Sequence, residues 1–319
     1  METNKEDNTL IYHSAHRGKR LLASLCDFIF TILLAMTIFS ISAISMENTP
    51  FTQDIINAKR EMEIDSSLYE KSTSLIIYEY VDTLENYSQR EKKDYLKEHL
   101  DLFYASKYVS KEDLAGYNQR RIEAKYGDVP LFKKVGEEIL EEEVNPLYLF
   151  NFYKYEIEDH AAKTLFLYEG FADATRNIFL YYMVIFVISL TISVFVFYLV
   201  FPLWIFKRGR QTLGKKLLKL SLIASNALNV SAPKYLLRFL FIFLVYYVLD
   251  FFSFLLPLFI SLGILFFSKR KESLIDYLFS QYVIDSSVDT IYLDYGDYLS
   301  AKRAKEEASI ENNDFLLKR

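Results

Sequence analysis

Three stretches of this chain lack the polar face that a soluble helix keeps toward water. They run from Leu21 to Met46, from Asn177 to Phe206 and from Tyr235 to Phe267. A membrane-crossing helix needs about 20 apolar residues, each adding about 1.5 Å. All three reach that length, and hydrocarbon forces the backbone to bond to itself, so each is predicted to be helical. The first follows a basic HRGKR lead and ends near Ala43 and Ser45, as a signal peptide would. It is longer than a usual signal core and holds Asp27 inside, so it reads as a retained helix. The third, at about 33 residues, would be about 50 Å long if straight, against a hydrocarbon core of about 30 Å. It is either a helix kinked at Pro257 or a hairpin reversing between Asp250 and Pro257. The KRK run at Lys269 to Lys271 favours a return to the starting side, and hence the hairpin.

Between the first two runs, residues 47–175 read as a helical domain. SLIIYEYVDTL repeats apolar positions at helical spacing. Ser110 with Asp113 resembles a capping box, and Gly127 is placed to close that helix. LFKKVGEEILEEEV predicts another short helix ending near Asn145 and Pro146, with Glu137, Glu138, Glu141, Glu142 and Glu143 as a solvated face. The last part, to Asn177, has only Gly170 as a breaker and is read as running on into the second membrane helix. The recurrent tyrosines suit core and interface packing, or a recognition surface.

Charge sets the orientation. Lys207, Arg208, Arg210, Lys215, Lys216 and Lys219 crowd the connector after the second run, which places it on the cytoplasmic side. The 47–175 stretch holds 27 acids against 16 bases; long segments cross largely regardless of charge, so the basic flanks place it outside. The organisation is then a cytoplasmic tail (1–20), a first spanning helix (21–46), an extracytoplasmic domain (47–175), a second spanning helix (176–206), a basic connector (207–234), a long third segment (235–268) and a cytoplasmic tail (269–319). Within the connector, Leu213, Leu217, Leu220 and Ala224 form one helical stripe, with Lys215, Lys216 and Lys219 opposite. That pattern predicts an interfacial helix held by apolar burial and anionic lipid. The fold class is all-α, a multi-pass helical membrane protein.

The chemistry lies in charges inside or beside the apolar runs. A charge at mid-bilayer costs about 2.5–3.5 kcal/mol on insertion scales, so it needs a partner, water or a purpose. Arg20 and Asp27 lie seven residues apart, on nearly the same helix face. With Arg238, Asp250 and Asp276 they make a candidate interhelical network, which either fixes packing or relays a proton or ion. Cys26 alone supports no disulfide framework, and no cofactor-binding motif, metal cluster or catalytic constellation is present. His13 and His16 are a weak metal signal without further ligands. Membrane flanks explain the basic runs better than nucleic acid does.

Four segments resemble landmarks of the RDD family of bacterial integral membrane proteins, in that family's order. They are Arg20-Leu-Leu-Ala23-Ser-Leu-Cys-Asp27, Arg210-Gln211-Thr212-Leu213-Gly214-Lys215-Lys216-Leu217, Leu236-Leu237-Arg238, and Lys269-Arg270-Lys271-Glu272-Ser273-Leu274-Ile275-Asp276. The resemblance covers about residues 17 to 46 and 177 to 285, and the RQTLGK string is its most specific part. The chain departs from the family pattern in the long insert, in Ile275 where His often precedes the aspartate, and in Ser280-Gln281 where Gly-Thr often follows. The resemblance implies a bacterial inner-membrane protein, with transport of a small ion or solute, or support of a transport system, as the expected function. The alternative is a non-transporting scaffold or receptor whose outer domain binds an envelope partner. Membrane lipid, a protein partner for residues 47–175 and a second copy of the chain are the expected contacts; an enzyme is not expected.

Overall fold

The computed structural model describes residues 12–249, 253, 256–267 and 273–304. The chain forms two compact units, residues 1–41 with 185–319, and residues 42–184. Among the described residues, three helices are long and apolar enough to cross a membrane: Arg17–Glu47, Glu169–Ile205 and Ala232–Leu249. The second includes a π-helical stretch, Val196–Ile205, and the third ends in another, Phe243–Leu249.

In the first unit, helix α1 (Arg17–Glu47) turns its polar and small residues inward. Arg20, Ala23, Asp27, Thr31 and Ala35 are buried, whereas Leu21, Leu22, Leu25, Phe28, Ile29, Leu33 and Met36 are exposed. Large apolar side chains outside and small ones inside is the pattern of a helix surrounded by lipid, where close backbone approach replaces the hydrophobic drive. Phe30 meets Phe197 at 6.2 Å between ring centres, and Phe39 meets Phe186 edge-on at 6.0 Å.

The connector is not the predicted interfacial helix. It contains a five-residue helix (Leu213–Leu217), then Lys219 at φ +54, then strand Leu220–Ala224. Leu220, Leu222 and Ala224 also satisfy a period of two. The strand pairs antiparallel with Gln281–Asp285, Leu220 opposite Asp285 and Ala224 opposite Gln281. Ser14 bridges Ile284 on the far side of that strand. All five strand residues are buried and paired with the partner strand, so tertiary pairing overrides the helical stripe. Lys215 correspondingly turns inward rather than toward lipid. After residue 249 the third segment continues as helix Leu256–Phe267. Ser253 N–H donates to the Leu249 carbonyl at 2.9 Å. The KRK run and Asp250 lie outside the described residues.

In the second unit, helix Gln89–Tyr104 packs on helix Pro146–Glu156. Leu96, Leu100, Phe103, Tyr153 and Ile157 fill its core. Tyr104 stacks on Tyr117 at 4.0 Å. The Ser110–Asp113 capping box forms, and helix Lys111–Glu123 follows it. Gly127 does not close that helix; at φ +62 it turns the small Lys125–Tyr126/Val129–Pro130 hairpin. The predicted helix at 131–144 is a second hairpin, Phe132–Val135 with Glu138–Glu141, turned at Gly136, φ +66. The left-handed Gly136 and the β-branched Val135 and Ile139 explain the strands. The run toward the second spanning helix breaks at Tyr168, whose backbone is extended, and Gly170 stands inside the new helix.

Glu141 is not part of a solvated face. Its carboxylate accepts from Lys93 at 2.8 Å, Lys97 at 3.0 Å and the Tyr153 hydroxyl at 2.7 Å. Burial alone would raise its pKa, but Lys93, Tyr153 and Lys97 overcome that and hold it at about 2, below its ordinary 4.5. A depressed carboxylate gives its full stabilisation above the unfolded value and loses it as pH falls through the folded one. Hydrogen exchange across residues 89–156 of the full chain should therefore accelerate as pH drops from 4.5 toward 2, after correction for intrinsic exchange. Glu141→Gln should flatten that part of the profile; an identical profile in the variant would refute it.

Candidate functional site

Asp276 organises the first site. It stands in the short helix Leu274–Leu278, where Ser273 and Asp276 form a capping box that fixes the side chain. One carboxylate oxygen accepts from Arg238 Nη2 at 2.7 Å, and the other accepts from Arg20 Nη2. Arg20 comes from α1 and Arg238 from helix Ala232–Ile242. The three residues expose 8%, 5% and 1% of their surface. An isolated charge at that depth is costly, and two guanidinium groups around one carboxylate each find an opposite charge. Burial pushes the Asp276 carboxyl up, but Arg238, Arg20 and Lys215 outweigh it and hold it at about 2, so it stays ionised. Arg238 Nη1 also donates to Gln281 Oε1 at 3.0 Å.

Asp27 is held differently. Its carboxylate accepts from the Thr212 hydroxyl at 2.5 Å and from the Gly214 backbone N–H at 2.6 Å. Thr212 is the N-cap of the Leu213–Leu217 helix but does not cap it. Asp27 of α1 does so instead, since the first N–H groups of a helix have no internal acceptor. The approach requires glycine: a Cβ on Gly214 would overlap the Ala23 carbonyl oxygen and stand 3.0 Å from Asp27 Cγ.

Arg210 and Gln211 act on backbone. Arg210, buried and at φ +43, donates from Nε to Val230 O at 2.9 Å and from Nη1 to Pro202 O and Leu203 O at 3.3 Å each. It thereby satisfies carbonyls freed at the end of the second spanning helix. Gln211 Nε2 donates to Leu220 O and Ser221 Oγ, both at 2.8 Å. Half-buried Lys215 looks onto Arg20, Asp27, Arg238 and Asp276. Burial first, then Arg238, lowers its pKa to about 8 against the opposing pull of both aspartates.

The structure thus gathers Arg20, Asp27, Thr212, Gly214, Lys215, Arg238 and Asp276 on one inner face, while Arg210 and Gln211 brace its frame. Arg20 is paired with Asp276, not with Asp27 on its own helix face, and is buried there. Gln281 was missed as a site residue, although a lone amide in an apolar strand was its signal. Its neighbour Ser280 adopts φ +48, the left-handed conformation that a glycine takes freely. His13 lies apart, accepting or donating through Nδ1 with Asp289 Oδ1 at 3.0 Å. Among the described residues, no three His, Cys, Asp or Glu side chains are placed to hold a metal ion.

Residues 157–280 match the RDD family. This chain carries an RDD family domain. The matched stretch takes in the second and third spanning helices, the RQTLGK connector and Asp276, whereas α1 precedes it. No curated protein and no solved structure matches the chain. The RDD domain is therefore a membrane domain whose polar inner face rests on contacts between α1 and the matched stretch.

Two substitutions test that dependence. Gly214→Ala should destabilise by about 3 kcal/mol or more, because rigid backbone meets the new methyl. Asp276→Ala should cost about 3–5 kcal/mol, leaving two buried guanidinium groups without their carboxylate. Lys216→Gln, on the exposed face of the same short helix, should stay within about 0.5 kcal/mol. Unfolding midpoints in detergent report all three; a Gly214→Ala protein as stable as Lys216→Gln would contradict the close packing on Asp27.

Proposed function

We propose that the RDD domain moves a small ion or solute across a bacterial inner membrane, with the basic connector on the cytoplasmic side. The observation that carries this reading is the unequal treatment of two buried carboxylates. Asp276 is locked by two cations, which suits a structural clasp. Asp27 is held by a hydroxyl and a backbone N–H, neutral donors that tolerate a change of charge on the group they hold. Intramembrane carboxylates of that second kind are the ones that carriers use to take up and release protons or cations. The small-residue stripe on α1, with buried Ser189 and Ser193 on the second spanning helix, gives the bundle the close, polar-lined contacts that such a path needs. Residues 47–175 then form an extracytoplasmic domain with its own core, available to a partner of the transport system.

Reconstituted vesicles containing the full chain should show cation- or proton-coupled flux, and Asp27→Asn should abolish it. The amide keeps the shape of the carboxylate and an acceptor for Gly214 N–H, so the fold should survive while the charge is lost. Flux equal to that of empty vesicles would count against transport. Cross-linking of residues 47–175 reproducibly to one envelope protein, with a phenotype lost on deleting that domain but kept in Asp27→Asn, would establish the scaffold reading instead.

A further inference from the structure

We infer that the first unit is a tandem duplication about a local two-fold axis, and that Lys215, the counterpart of Asp276 in the other copy, is a second partner for Asp27. The Asp27 carboxylate passes from Thr212 and Gly214 to the Lys215 ammonium, a step that rests on the transport reading above for its purpose. The duplication stands on sequence and contacts alone. One copy holds residues 13–41 with 185–224, the other residues 228–285. An offset of 61 sets Thr212, Leu213, Leu217 and Ile223 on Ser273, Leu274, Leu278 and Ile284. Each set forms a five-residue helix and a five-residue strand. Before the strand stands a left-handed residue, Lys219 at φ +54 in one copy and its counterpart Ser280 at φ +48 in the other. An offset of 215 sets Lys19, Leu21, Leu22 and Leu25 on Lys234, Leu236, Leu237 and Leu240. All six leucines are exposed, so the two helices turn equivalent faces outward.

The backbone obeys the same two offsets. Asp285 N–H donates to the His13 carbonyl at 3.3 Å, and its counterpart Ala224 N–H donates to the Leu228 carbonyl at 2.9 Å. Ser14 bridges Ile284, and its counterpart Asn229 bridges Ile223. Leu222 and Val283 are counterparts that pair with each other, so the axis passes between them. A chance likeness of short apolar strings would not reproduce these crossed contacts.

The copies differ in where their charges lie. In one, helix Ala232–Ile242 carries the base and the short helix carries the acid. Arg238 donates to Asp276 at 2.7 Å, and Asp276 N–H donates to the Ser273 hydroxyl at 3.3 Å. In the other copy the signs are exchanged: α1 carries Asp27, and Lys215 stands at the position of Asp276. Asp27 accepts from Thr212 and Gly214, and Thr212 does not cap its helix. Among the described residues, half-buried Lys215 makes no ion pair. It follows Gly214, whose N–H stands 2.6 Å from Asp27 Oδ1, so its flexible four-carbon stem can bring the ammonium to that carboxylate. In carriers built from internal repeats, one copy moves against the other around the site. The arrangement shown by the Asp276 copy is then the one open to the Asp27 copy: Lys215 N–H on the Thr212 hydroxyl, and Lys215 Nζ on Asp27. Lys215 is thus a positioning residue for Asp27.

Zero-length coupling tests the passage without reference to flux. A membrane-permeant carbodiimide joins a carboxylate to an amine that pairs with it, and mass spectrometry of the full chain in nanodiscs reads the product. The wild type should give an Asp27–Lys215 amide. Thr212→Val, which removes the competing donor and keeps the shape, should raise its yield at least about threefold. In reconstituted vesicles Lys215→Met should lower flux at least about tenfold, the effect of one charged hydrogen bond, with an unfolding midpoint in detergent like that of the wild type. Lys215→Arg, which cannot form the amide, should restore flux. No Asp27–Lys215 amide in the folded wild type would overturn the inference, as would a yield unchanged in folded Thr212→Val or equal flux in wild type and Lys215→Met. The amide without flux in wild-type vesicles would leave the exchange of partners standing and remove the transport reading; flux without the amide would do the reverse.

Discussion

One carboxylate shared by two guanidinium groups sets the terms for the inner face of the RDD domain. Arg20 and Arg238 belong to different spanning helices, and both are buried. Asp276 must be delivered between them, at a depth where a misplaced charge would be costly. The Ser273 capping box orients it, and the Gln281–Asp285 strand, bonded to Leu220–Ala224, holds the segment in place. The connector, the return segment and α1 are thereby fixed to one another through a single acidic side chain.

Asp27 shows how the same helix solves a second problem with different chemistry. A short helix in the connector has free N–H groups, and the buried carboxylate of α1 accepts one of them. Glycine at 214 is the geometric condition, because the helix end comes to rest against the α1 backbone at Ala23. Threonine at 212 gives up its usual capping bond to complete the shell around Asp27. The RQTLGK string thus reads as a set of contacts: Arg210 and Gln211 bind backbone, Thr212 and Gly214 bind Asp27, and Lys215 faces the charges.

The membrane helices were legible because lipid demands long apolar runs, and few other environments permit them. The site residues stand out because they are charges in or beside such runs: Arg20, Arg238 and Asp276 meet in one ion cluster, whereas Asp27 is held by Thr212 and Gly214. Their pairing was not, since a helix-face argument linked Arg20 with Asp27, whereas Arg20 reaches Asp276 256 residues away. Strand Leu220–Ala224 escaped notice because its leucines fit a helical stripe as well as an alternating one; only the partner strand decides. The 132–141 hairpin was hidden by glutamates, which favour helix locally, until Gly136 adopted a conformation that helices exclude. Gln281 carried too little charge to be noticed. Asp250 lies outside the described residues.

The pairing of Leu220–Ala224 with Gln281–Asp285 joins strands separated by the whole third membrane segment. Fifty-six residues lie between Ala224 and its partner Gln281. At about 5–20 residues per second, a ribosome needs about 3–12 s to cover that distance. From Arg238 until Asp276, with 37 residues between them, the nascent chain contains both arginines and lacks the aspartate that neutralises them. Until Asp276 is made, the chain carries two arginines without the carboxylate that they share in the folded domain.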